Sequence, residues 1–336
     1  MGSTSRSFHA LSAYDPKSLV AQLLEHPTLA TLGTWKKVDN PAEADVILFA
    51  ETYASLDPYF LDVVRHPLFR AHRQKCVLHH ISDTTLTLCR TISPSIDRHH
   101  SNVHARRSFS YLVRVHDNPF LNAISEAVIA DSERLHLFSF VGDPETHPIR
   151  KRLLTLHHPQ ALLKAATGSS ASFMGADERE PFQKSYLQTL LDSDFVLCPR
   201  GLGPTSMRLF EVMQLGRAPV IISDDWLPVS GIPWEDFAFF VPEAEVEQIP
   251  RLLEQNRHRA PAMGRRAREV WLEHFSPQRA VEGLLQRALE LTRIPVTPRE
   301  RMTDLLTLLP SRHWRILTAC LRRLLFQGRC AGTSHA

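Results

Sequence analysis

The chain has 336 residues, 43% of them hydrophobic and 22% charged, with a formal net charge of +3. That is enough chain for two domains with separate cores, because a single core rarely grows past about 250–300 residues. So small a net charge excludes the global basic field of a general nucleic-acid binder. Five scattered cysteines without a Cys-x-x-Cys pair exclude a zinc ribbon or a dithiol redox motif, and a reduced, cytoplasmic compartment is the simplest reading.

The N-terminal "MGSTSRSFHALSAYDP" lacks the apolar core of a signal peptide, and Arg6 stands where a myristoylation signal prefers Ser or Thr. No run of about 18 apolar residues occurs, so no spanning helix is expected. "SLVAQLLEHP" (Ser18–Pro27) has helical spacing. "ADVILFAE" (Ala44–Glu51) and "KCVLHHIS" (Lys75–Ser82) are short apolar runs suited to buried strands, and "SYLVRVHD" (Ser110–Asp117) is a third candidate. "LNAISEAVIA" (Leu121–Ala130) reads as a helix or a linker. "RLHLFSFVGD" (Arg134–Asp143) reads as a strand, and "HPIRKRLLTLHH" follows with Pro148 as a helix-opening proline. Then come a helix over Glu180–Asp194, the strand "FVLCP", the helix "SMRLFEVMQL" and the strand "APVIISD".

Strands alternating with helices imply parallel pairing through crossovers, hence an α/β sheet. Two such units in series give residues 1–130 and 131–293 as two Rossmann-like, doubly wound domains, with 294–336 a helical extension. In that extension, "LTACLRRLLFQGR" places Leu317, Leu321, Leu324 and Leu325 on one face and Arg315, Arg322, Arg323 and Arg329 elsewhere. It reads as a helix packed across the domains, or as a basic amphipathic helix resting on anionic lipid at the inner face of the membrane.

The densest chemistry lies in "FVLCPRGLGPTSMRLFEVMQLGRAPVIISDDW" (Phe195–Trp226). A strand, a glycine loop and then a helix present backbone N–H groups and the positive end of a helix dipole to an anion. Gly201 and Gly203 allow close approach to the backbone. Thr205 or Ser206 is placed to cap the helix, and Gly216 to end it in a left-handed turn. Arg200 and Arg208 suit bidentate phosphate contact. Glu211, three residues after Arg208, shares its helix face and suits two ribose hydroxyls. The loop has no Lys-Ser/Thr and no third glycine, so neither a P-loop nor a dinucleotide fingerprint fits. A plain tight turn beside an Arg–Glu pair is the competing reading. "DRHHSNVH" offers His100 and His104 at i, i+4, a metal pair or a solvated loop. "HARRSF" offers an anion patch or a surface charge cluster.

The whole string "LCPRGLGPTSMRLFEVMQLGRAPVIISDDW" followed by "WEDFAFFVPE" resembles the signature of the exostosin (GT47-type) glycosyltransferases. "ADVILFAE", "HHISDTT" and "LHLFSFVGDPETHPIRKRLLTL" are similar to that family in content and order, so the resemblance covers roughly residues 40–290. It implies a GT-B fold, two Rossmann-like domains facing across a cleft, and an inverting, metal-independent transferase; with no spanning segment expected, a bacterial type is the simplest expectation. The donor, a nucleotide-sugar and specifically a UDP-sugar, would bind the C-terminal domain as co-substrate, with no further cofactor. A glycan or lipid-linked acceptor would bind mainly the N-terminal domain. Arg200 and Arg208 are then diphosphate ligands and Glu211 the ribose ligand, with Gly142, Gly201, Gly203 and Ser206 completing the nucleotide site. Asp224 and Asp225 wall the sugar pocket, shape a turn or, as in Asp-x-Asp enzymes, hold a metal. The base that deprotonates the acceptor is expected at the strand ends of the first domain, where ligands sit in open α/β sheets. Asp83 is the first candidate, then Glu51 and His80; all three as loop or supporting groups is the plainer reading. A non-catalytic nucleotide-sugar or glycan-binding subunit of a synthase complex is the alternative function.

Overall fold

The computed structural model describes residues 6–15, 19–25, 34–52, 57, 59–83, 87–99, 105–112, 118–166 and 176–295. The tail from residue 296, for which a basic amphipathic helix is expected, and the His100/His104 pair lie outside the described residues.

Two all-parallel sheets carry the fold. The first runs in the order β2-β1-β3-β4-β5-β6, built from β1 (Arg6–Leu11), β2 (Trp35–Lys37), β3 (Val46–Glu51), β4 (Cys76–His80), β5 (Thr91–Ser93) and β6 (Arg106–Ser108). Helices α1 (Leu19–Glu25), α2 (Leu61–Arg65) and α3 (Pro67–His72) belong to this half. Every residue of β3 is buried, as expected where helices cover both faces of a parallel sheet. Val46, Leu48 and Ala50 feed the main core, while Ile47 and Phe49 point the other way, onto Phe60, Val63 and Phe69.

The expected helix over Leu121–Ala130 is two, α4 (Pro119–Asn122) and α5 (Glu126–Asp131). Two caps break it: the Asn118 carboxamide accepts from the amides of Phe120 and Leu121, and the Ser125 hydroxyl accepts from Val128.

The second sheet runs β11-β10-β9-β7-β8, from β7 (His136–Gly142), β8 (Ala161–Ala165), β9 (Ser193–Pro199), β10 (Ala218–Ile222) and β11 (Phe239–Phe240). Its helices are α6 (Pro148–Leu153), α7 (Ala176–Leu191), α8 (Met207–Gln214), α9 (Ile249–Asn256) and α10 (Ala260–Val270). A last helix, α11 (Pro277–Arg293), is 131–293 by sequence but packs against β3, β4 and β5 of the first sheet. Arg90 donates to the Ile294 carbonyl at 2.8 Å and Phe109 packs on Phe275 at 5.9 Å, so the stretch from Phe275 to Ile294 is fastened to the first half.

A second fastening sits at the carboxyl edges of the sheets. Asp97 and Trp226 form an antiparallel bridge, the Leu227 amide donates to the Ile96 carbonyl at 2.9 Å, and the Trp226 indole donates to the Pro94 carbonyl at 3.0 Å. The Arg98 guanidinium donates to the Trp226 carbonyl at 2.8 Å. The strand ends of one sheet therefore face those of the other, the two-domain arrangement named GT-B. No helix among the described residues is long and apolar enough to cross a membrane.

Helix α8 ends as its glycine requires. Gly216 has φ of +62°, its amide donates to the Met213 carbonyl and the Arg217 amide to the Val212 carbonyl. α10 crosses this turn so closely that a Cβ on Gly264 would lie 2.3 Å from the Gly216 oxygen. Gly264→Ala is expected to cost about 1–3 kcal/mol in chemical denaturation, because backbone rather than a flexible side chain must yield. An unchanged midpoint would reject this packing.

Candidate functional site

The loop after β9 lies where both sheets present their carboxyl ends. Arg208, in the first turn of α8, is 8% exposed. Its Nη2 donates to the Val141 carbonyl at the end of β7, and its guanidinium lies over the rings of Phe140 at 4.8 Å and Tyr186 at 5.9 Å. Nε and Nη1 are buried with no protein partner. Gly142 makes room for this side chain: a Cβ there would come within 2.9 Å of Arg208 Nη2. Glu211, on the same helix, is buried and accepts from the Tyr186 hydroxyl at 2.7 Å. Tyr186 thus orients both groups, and burial together with Glu211 drives its phenol pKa upward.

Arg150 lies beside them. Its guanidinium donates to the carbonyls of Arg200 at 2.8 Å, Asp143 at 3.1 Å and Pro199 at 3.4 Å. It ties the end of β7 to the end of β9 and sets the course of the glycine loop. Burial, and then Arg208, push its pKa down to about 10, a mark of two guanidiniums crowded in one recess. Sequence reasoning missed Arg150 and Tyr186. The one signal for Arg150 is an arginine two residues after a helix-opening proline, facing back onto the turn that it closes.

The glycine loop differs from expectation in three respects. The Gly201 amide donates to the Gly203 carbonyl at 3.2 Å, so it is used inside the turn and not offered outward. Ser206 holds the N-cap position with extended φ and ψ, but its hydroxyl makes no cap bond. The buried Thr205 hydroxyl is also without a partner. Of the first-turn amides of α8, that of Leu209 turns back onto the Ser206 carbonyl at 3.1 Å; those before it have no preceding turn to satisfy them.

Arg200 is ion-paired, not free. Nη1 pairs with Asp225, whose other oxygen lies 3.4 Å from His99 Nε2, and it also sits 3.6 Å from Glu243. Glu243 in turn exchanges hydrogen bonds with Asp224: each carboxylate accepts from the other's amide, at 3.3 and 3.1 Å. Asp224 and Asp225 thereby face different partners. Among the described residues no three His, Cys, Asp or Glu side chains converge as a metal site would require.

Of the three base candidates, Asp83 reaches this loop. The residue as a whole is exposed, but its carboxyl is turned inward: Oδ1 lies 2.3 Å from where a Cβ on Gly203 would stand, with Ser95 Oγ at 2.8 Å from that point. Burial of the carboxyl raises its pKa, while the Gly203 amide and Arg150 pull the other way. Glu51 lies at the end of β3, 2% exposed, and accepts from the Ser12 hydroxyl at 2.6 Å and the Ala13 amide at 2.7 Å. Burial lifts its pKa to about 7. His80 is fully buried against Phe60 at 4.7 Å, and burial pushes its pKa down to about 3, so it stays neutral and inside the core.

Residues 92–256, from β5 through α9, match the family model described as the Exostosin GT47 domain. This stretch, just under half of the chain, is similar to an exostosin GT47 domain. Part of the chain is also 44% identical over 72 residues to a probable glucuronosyltransferase, GUT1, of Oryza sativa subsp. japonica, covering 21% of this chain and 17% of that one. It is 41% identical over 71 residues to a probable β-1,4-xylosyltransferase, IRX10, of Arabidopsis thaliana (20% and 17%), and 38% identical over 98 residues to an exostosin-1 homolog of Caenorhabditis elegans (28% and 26%). The matched part of this chain spans about a sixth to a quarter of the length of these relatives. Among solved structures, Anabaena Alr3699/HepE in complex with UDP is 13% identical, with TM-score 0.42, over 85% of this chain and 100% of that one. Sucrose-phosphate synthase from Thermosynechococcus elongatus is 13% identical, with TM-score 0.43, over 85% and 99%. Likeness at these values does not bear on function.

Proposed function

We propose that this chain is an inverting glycosyltransferase that moves a sugar from a nucleoside-diphosphate donor, UDP being the nucleotide the family resemblance implies, to a hydroxyl of a glycan or lipid-linked acceptor. The observation that carries the reading is the Arg208 guanidinium, a buried cation with two unpartnered donors at the strand ends. Such a group is costly unless an anion completes its hydrogen bonds. A diphosphate does so, with the first-turn amides of α8 beside it and Glu211 on the same helix face for the ribose. The names of the curated relatives, glucuronosyl- and xylosyltransferases, agree with this chemistry.

In the proposed reaction the acceptor hydroxyl oxygen attacks the anomeric carbon from the face opposite the diphosphate. The new glycosidic C–O bond forms as the C–O bond to the diphosphate breaks, and the hydroxyl proton passes to the Asp83 carboxylate. The negative charge gathers on the leaving diphosphate, where Arg208 and the helix N-terminus stabilise it without reorganising.

UDP at about 100 times its Kd is expected to stabilise the full chain by about 2.7 kcal/mol, read as a rise in Tm, while a nucleic-acid oligomer produces none. Turnover of a UDP-sugar panel with a glycan acceptor then separates an enzyme from a binding subunit. No thermal shift with any nucleoside diphosphate rejects the site.

A further inference from the structure

Asp83 does not stand across an open cleft from the glycine loop but against it. The backbone of Gly203 is within reach of its carboxylate, and any side chain at 203 would strike it. The contact is set by the fold: the bridge between Asp97 and Trp226 and the Trp226–Pro94 hydrogen bond hold the segment around Ser95 onto the loop region. Ser95 Oγ lies beside Gly203 too, with the Tyr111 hydroxyl 3.5 Å from it, and the Asp83 charge helps drive the Tyr111 pKa upward. The Asp83 carboxylate, reaching the glycine loop from the first half of the chain, thus lies where an anion bound by that loop would come. Two anions a few ångströms apart repel by several kcal/mol in a partly buried site.

Resting on the nucleotide-site reading above, we infer that Asp83 is an internal competitor for the donor's diphosphate. The donor enters by turning the Asp83 carboxylate off the Gly203 backbone, and the released carboxylate then becomes available to the acceptor hydroxyl. Asp83 is exposed, so it has solvent to turn into. Donor binding and placement of the base become one event, and the donor binds before the acceptor. Held against the loop, the carboxylate is buried, which raises its pKa, and is occupied by the Gly203 amide with Arg150 nearby; leaving the loop frees its lone pairs for the acceptor hydroxyl.

The test is calorimetry on the full-length chain and on D83N, with UDP and with uridine. D83N keeps shape and removes charge. It is expected to bind UDP about tenfold more tightly than the wild type and uridine equally well, with glycosyl transfer lost. A general structural disturbance moves both ligands, so a parallel change in uridine affinity overturns the inference. Equal or weaker UDP binding by D83N overturns it while leaving the nucleotide site standing. No UDP binding by either protein overturns the nucleotide site and this inference together.

Discussion

Replacing Arg208 with Ala is expected to abolish the UDP-dependent rise in Tm and to cut glycosyl transfer by about 10²–10³-fold. The guanidinium supplies two donors that no protein group uses, so its removal takes hydrogen bonds from the ligand and none from the fold beyond the one to the Val141 carbonyl. Stability without ligand should therefore change little, since loss of packing on Phe140 and Tyr186 is offset by removal of a poorly satisfied buried cation. Arg208→Lys separates charge from geometry. It keeps the cation but not the planar fork, and part of the UDP shift should survive. A thermal shift in the Ala variant equal to that of the wild type would remove Arg208 from the site.

What the sequence made legible is what lies close together in it. The strand, loop and helix from Phe195 to Gln214 follow one another, and local rules place each: an apolar run, a glycine turn, an N-cap, a left-handed Gly216. In the second sheet β7, β9 and β10 could be read because they are apolar runs of five to seven residues, whereas β8 and the two-residue β11 could not. The three-residue strands β2, β5 and β6 are too short to show a period, and Arg6–Leu11 alternates polar and apolar residues without an apolar run. The tertiary pairings were hidden for a different reason. Arg200 had the look of a phosphate ligand, but its partner Asp225 lies beyond a helix and a strand, and Glu243 further still. Tyr186 acts on Glu211 from the preceding helix. Asp83 meets Gly203 across 120 positions of chain, and nothing local to either residue announces the other. Residue type and local order gave the chemistry of the loop; which cation stays unpaired, Arg208 and not Arg200, is decided by packing.

That distinction assigns different work to the two arginines. Arg200, held by Asp225 and near Glu243, is a strut that fixes two carboxylates at the mouth of the site. On the proposed reading, Arg208 is the guanidinium with donors left for the phosphates, while Arg200 would reach them only by sharing its contacts with Asp225 and Glu243.

Glu51→Gln is expected to gain stability on the wild type, by up to a few kcal/mol, as pH rises from about 5 to about 8. Burial lifts the folded pKa of Glu51 from 4.5 to about 7, against the opposing pull of Ser12 and Ala13 and with a further push from Asp15. The folded chain therefore binds this proton more tightly than the unfolded chain does. Stability linked to it is fully present below pH 4.5 and is lost as pH climbs through 7, because the native state holds more protons across that window. Glutamine does not titrate, so the variant lacks this decline. It does forfeit one good hydrogen bond: the Ser12 hydroxyl already accepts from the amides of Tyr14 and Asp15 and has no ready place for a third donor from the carboxamide. That loss, about 1 kcal/mol, is independent of pH. The variant should thus be the less stable protein near pH 5 and approach or pass the wild type near pH 8, as read from urea midpoints across the range. A difference between the two proteins that stays flat with pH would mean that Glu51 is ionised at neutrality and that the loop from Ser12 to Asp15 does not seal it from water.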